Sequence, residues 1–179
     1  MSDSRTHHPA LADNILSAID TGTTILTPNH RLAQALNRQI GDHFKSQEIA
    51  AWSSPTIEPA DEWLKSQFLI AQDSGLISQT LLTPFQQLAI WKEQIAGSSS
   101  GLDGSLAGSL NKAWDLTQQW RLPIDESYFY APDHQAFKQF AEQFSQHCEN
   151  EQWICESQIA AELTPLFDQR QLSAPNSIL

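Results

Sequence analysis

Five consecutive residues, Thr27, Pro28, Asn29, His30 and Arg31, concentrate the groups best suited to meet an anion. They join a short β-branched run, Thr23–Thr27, to a periodic helix. A helix N-terminus carries free N–H groups and about half a unit of positive charge. Thr27 and Asn29 add a hydroxyl and an amide, and Arg31 adds a cation in the first turn. Arg38 follows seven residues later, which on a helix returns it to the face of Arg31. That set suits a cradle for a backbone phosphate. The competing reading is that Asn29 only caps the helix and the arginines are solvated.

Other constellations are incomplete. No G-x-x-x-x-G-K-[ST] and no G-x-G-x-x-G follows a strand. Gly97, Gly101, Gly104 and Gly108 read as a linker, and Lys112 lies in the next helix. ATP hydrolysis is therefore not expected, and no cofactor is implied. His7 and His8 fall in a tail, and His30 and His43 stand thirteen residues apart. His147 and Cys148 are adjacent and point to different helix faces, and Cys148 and Cys155 lack the second pair of a zinc site. No metal site is expected. There is no G-x-S-x-G elbow, and Ser98–Ser100 sits in a loop. Asp61–Trp63 and Glu149–Glu151 read as solvated helix ends, and Ile124–Ser127 lacks the lysine of a nuclease site. These absences predict a chain that is not an enzyme.

The elements that would carry the cradle follow from periodicity. Ala10–Asp20 places Leu11, Ile15, Leu16 and Ile19 on one helical face, ended at Thr21-Gly22. Thr23–Thr27 is a short buried strand, stopped by Pro28. The helix after Asn29 carries Leu32, Leu36, Ile40 and Phe44 four apart. A brief extended piece falls near Pro55, Thr56 and Ile57, and Pro59 opens a helix with Trp63, Leu64, Phe68 and Leu69 inward. Thr83-Pro84 begins another, with Phe85, Leu88, Trp91 and Ile95 as core. Gly97–Ser105 is a flexible loop. Beyond it Leu106, Leu110, Ala113, Trp114, Thr117 and Trp120 form one stripe, and Phe137, Phe140, Ala141, Phe144 and Cys148 another. Trp153 and Ile159–Phe167 supply a last short helix.

This predicts a helix-rich α/β protein. A loose tail spans 1–9, a small α/β part with a parallel sheet 10–70, and an all-helical part 71–168. Residues 169–179 read as the start of a continuation. One certain strand makes no sheet, so the α/β part needs strands from elsewhere.

The bulk numbers bound the function. The 179 residues suit one domain or one and a half, and 40% hydrophobic residues suffice for a core. The net charge of −11, from 10 basic and 21 acidic residues, opposes bulk nucleic-acid binding. The acid is unevenly placed: residues 1–45 carry four cations and four acids, whereas 121–179 carry three cations and nine acids. Any anion contact therefore belongs to the N-terminal part. Two cysteines make no disulfide framework, and no apolar run reaches membrane-span length, so a soluble cytoplasmic protein is expected.

Five blocks in order, "ILTPNHRLAQALNRQI", "WSSPTIEPADEWL", "LLTPFQQLAIWKEQI", "AWDLTQQWRLP" and "FAEQFSQHCENEQWI", carry a resemblance. The series resembles the N-terminal region of bacterial AddB-like DNA-repair proteins, subunits of helicase–exonucleases, over roughly Leu11 to Phe167. The resemblance implies a degenerate, P-loop-like first domain of a UvrD-like superfamily-1 helicase. "ILTPNHRLAQAL" would match the strand–loop–helix that touches single-stranded DNA in active relatives, and "SPTIEPADEWL" the segment after it. The implied DNA-facing residues are Thr27, Pro28, Asn29, His30 and Arg31, flanked by Arg38, with Pro55, Thr56 and Ile57 as further candidates. The implied partners are single-stranded DNA and the remainder of a parent polypeptide or a partner helicase subunit. The chain departs from active helicases in having only Ala10–Asp20 where the phosphate-binding strand and loop would stand. The alternative expectation is a protein–protein interaction module without DNA contact.

Overall fold

The computed structural model describes residues 13–21, 23–98, 104–124 and 131–172. The expected tail, Leu11, Gly22, Ser99–Asp103 of the loop and the closing Ser173–Leu179 lie outside them. The described chain divides into two compact units at Ser66/Gln67.

The first unit holds α1 (Asp13–Thr21), β1 (Ile25–Thr27), α2 (His30–Ser46), β2 (Ile57–Pro59) and the start of α3 (Ala60–Asp73). The second strand is β2, which overlaps the extended piece expected near Pro55–Ile57 and lies two residues further on. It pairs parallel to β1 in the register Ile25 with Ile57, Leu26 with Glu58 and Thr27 with Pro59. Pro59 fits there because it sits at the strand's end, where the missing N–H interrupts no ladder. Ile25 and Thr27, which share one face of β1, are buried, and Leu26 on the other face is half-buried. On α2 the covered stripe is Ala33, Leu36, Ile40 and Phe44. Leu32, expected inside, is 41% exposed, because it lies in the first turn and one position off that stripe. Phe44 stacks on Trp52, centroids 5.3 Å apart.

The second unit is built on α4 (Pro84–Gly97), α5 (Ala107–Gln119), α6 (Pro132–Glu151) and α7 (Ile159–Asp168). Its centre is aromatic, with one ring from each of α4, α5 and α6. Trp91 stacks on Phe144 at 4.3 Å and 7°, and Trp114 meets Phe144 edge-on at 5.2 Å. Such pairs add about 0.5–1.5 kcal/mol each beyond their burial. Phe137, Phe140, Ala141, Phe144 and Cys148 of α6 are all buried, as their spacing predicts. The unit is not all-helical. β3 (Thr80–Leu81) pairs parallel to β4 (Trp153–Ile154), joining segments more than seventy residues apart.

Four further expected core positions lie outside, Leu106 among them. Phe85 is 80% exposed, and the covered face of α4 is Gln87, Ile90, Trp91 and Ile95. Six residues separate Phe85 from Trp91, which places them about 120° apart around a helix. Trp120 is 72% exposed because α5 has already ended at Gln119. Leu69 of α3 is likewise exposed.

Candidate nucleic-acid interface

The expected cradle is a strand–turn–helix joint. β1 ends at Thr27, Pro28 and Asn29 turn the chain, and α2 starts at His30. Asn29 is extended (φ −167, ψ 162), and its side-chain oxygen accepts the Leu32 N–H at 3.0 Å. That is an N-cap, so one free N–H of the helix start already has a partner. Thr27 is 2% exposed, and its hydroxyl lies 3.1 Å from the Asn29 carbonyl and 3.4 Å from that of Glu58. Its side chain therefore ties the turn to β2 and does not face a ligand, contrary to its expected role. Pro28, His30 and Arg31 are exposed. Arg38 is exposed too, two turns and about 10 Å further along α2, with its Nε 3.4 Å from the Gln34 carbonyl.

The parallel register decides what stands beside this joint. Thr27 is level with Pro59, so the N-termini of α2 and α3 lie at the same carboxyl edge of the strand pair. That edge is where open parallel sheets place their ligands. Pro55 and Thr56 precede β2, and Ile57 is level with Ile25. They belong to the opposite edge, so the structure does not bring them to Thr27–Arg31. The Thr56 carbonyl is engaged by the Ile25 N–H at 2.8 Å.

The residues brought together instead are His30 and Glu62. Glu62 Oε1 lies 2.7 Å from His30 Nε2, both side chains being largely exposed. Asp61 and Glu62 occupy the first turn of α3, where carboxylates are favoured by the helix dipole. Their sequence predicts a solvated helix end and does not announce Glu62 as a neighbour of His30. One signal was available: both joints have the form strand–proline–helix, at Pro28 and at Pro59.

Chemically, the edge offers His30 and Arg31 to an anion and sets Glu62 against it. A histidine held by a carboxylate is also the base half of a nucleophilic pair, but among the described residues no hydroxyl or thiol is hydrogen-bonded to His30. Among the described residues no group of three or more His, Cys, Asp or Glu could hold a metal ion. Among them, no helix is long and apolar enough to cross a membrane. Comparison with protein-family models, with curated proteins and with solved structures gave no match.

Proposed function

We propose that the chain is a non-catalytic, helicase-like N-terminal domain of a cytoplasmic DNA-repair nuclease subunit, contributing single-stranded DNA contact. The observation that carries this is the carboxyl edge of the β1–β2 pair, where two helix N-termini, exposed His30 and exposed Arg31 come together. The parallel pair is then the remnant of a P-loop-like sheet, and the five ordered sequence blocks support the same descent. The contact would run from His30 and Arg31 along α2 to Arg38. Thr27 and Asn29 would hold the turn rather than touch the strand. Glu62 would weaken the site by placing a carboxylate beside its histidine.

Titration with fluorescent single-stranded DNA at low salt tests this. Arg31→Ala and Arg38→Ala should each weaken binding roughly tenfold, the scale of one charged hydrogen bond. Glu62→Gln should tighten it by about threefold, since an exposed charge pair is worth little. Equal and negligible binding by all four proteins would overturn the DNA contact.

A second function is favoured by one set of residues. Leu116, Trp120 and Leu122, at the end of α5 and just beyond it, are all more than half exposed. Together with the −11 charge they suit docking against the remainder of a parent polypeptide or a partner helicase subunit. Co-purification that is lost with Trp120→Ala and kept with Arg31→Ala would favour docking.

A further inference from the structure

The DNA reading leaves one buried pair of reactive groups unused. Cys148 lies in the last two turns of α6, and seven residues later Cys155 opens the turn that leads into α7. Between them Gln152 reverses the chain in the left-handed region (φ 56), and β4 carries it back. The return is pinned by β3: the Thr80 N–H donates to the Gln152 carbonyl at 2.7 Å and the Leu82 N–H to that of Ile154 at 2.8 Å. Both thiols are buried in the aromatic core of the second unit, each within interaction range of the other. Cys155 is fully buried. Cys148 also lines a cavity of about 230 Å³ with Ser145, Gln152 and Gln158 among its walls. Cys148 thus borders space that a small polar molecule could occupy, and Cys155 does not line it.

We propose that Cys148 and Cys155 form a reversible dithiol–disulfide pair, oxidised by a small hydroperoxide that enters through this cavity. The Cys148 thiolate attacks the peroxide, so that an S–O bond forms and the O–O bond breaks. With hydrogen peroxide the departing hydroxide takes up the thiol's proton and leaves as water. The sulfur of Cys155 then attacks that of Cys148. An S–S bond forms, the S–O bond breaks, and the Cys155 proton leaves with the hydroxide as a second water. Two electrons pass from the thiols to the peroxide. The division of roles follows from the surroundings. Cys148 borders the cavity and Cys155 does not; the neighbouring Cys155 lowers the pKa of the Cys148 thiol, while Cys148 and burial raise that of Cys155.

The test uses the full chain. Hydrogen peroxide is applied under native conditions, the remaining thiols are counted with a maleimide after unfolding, and the peptides are mapped by mass spectrometry. Both thiols should vanish together, with a mass loss of two hydrogens and a cross-link between Cys148 and Cys155 that dithiothreitol reverses. In Cys155→Ala, dimedone should trap a sulfenic acid on Cys148. In Cys148→Ala, Cys155 should oxidise at least roughly tenfold more slowly, lacking an accessible thiolate. Retention of both thiols in the native protein, or cross-links between chains only, would overturn the proposal. The measurement on the unaltered chain decides the matter without either variant.

Discussion

At the scale of single residues, position relative to the covered face sets the consequence of a substitution more than residue type does. Trp91 and Phe85 are both large aromatics on α4, yet one is fully buried and stacked on Phe144 and the other is 80% exposed. Trp91→Ala should cost about 3–5 kcal/mol, since it opens a cavity at the meeting point of three helices. Phe85→Ala should change stability by no more than about 0.5 kcal/mol. Denaturant unfolding of both variants checks the contrast, and equal losses would contradict the assigned face of α4. The thiols give a second residue-scale expectation. The neighbouring Cys148 and burial raise Cys155 far above the ordinary thiol value of 9.0. Above pH 9 the unfolded chain has released that proton and the folded chain keeps it, so stability falls as pH rises further. The slope from this one group is about 1.4 kcal/mol per pH unit. The difference in unfolding free energy between the unaltered chain and Cys155→Ala, followed from pH 8 upward, should shrink accordingly. A constant difference would deny the raised value.

At the scale of elements, the starts of α2 and α4 and the end of α1 at Thr21 were legible, and the later helix ends were not. Asn29 and Thr83 cap α2 and α4 as their types predict, and Gln86 completes a capping box with Thr83. The ends use left-handed residues that the sequence does not advertise. Glu48, Arg121, Gln152 and Arg170 all have positive φ, and among the described residues Gly75, after α3, is the glycine that does. After α2 the Glu48 N–H reaches the Lys45 carbonyl and the Ile49 N–H reaches that of Phe44. This is the double hydrogen-bond pattern that closes a helix around a left-handed residue. A side chain there carries a steric cost, tolerated because those bonds satisfy the last carbonyls. Glu48→Gly, at an exposed site, should therefore stabilise the protein by about 1 kcal/mol in thermal or denaturant unfolding. Destabilisation of similar size would mean that the Glu48 side chain contributes more than its backbone geometry costs.

At the scale of the whole molecule, charge limits any DNA contact to a few phosphates. With a net charge of −11, the cations that α2 places on the proposed contact are the exposed Arg31 and Arg38, while Lys45 lies in its last turn. Each phosphate neutralised on a single strand contributes about −0.7 to the slope of log affinity against log salt. The unaltered chain should show a slope near −1.4, and each arginine variant should lower its magnitude by about 0.7. A much steeper slope would locate the contact elsewhere. The sequence by itself determined what neighbours within a few residues can settle: the helical spacing of α6, the caps at Asn29 and Thr83, and the strand–proline–helix joint after Thr27. Those depend on backbone hydrogen bonds and side-chain periodicity, which are local. Only the tertiary structure decided the pairing of β1 with β2 and of β3 with β4, which side of α4 is covered, and the meeting of Cys148 with Cys155 beside a cavity. It also separated Pro55, Thr56 and Ile57 from the Thr27–Arg31 joint and set Glu62 against His30 in their place. A parallel register joins residues some thirty positions apart, and no local pattern specifies it. The backbone of β2 and the burial of Ile25 and Thr27 do.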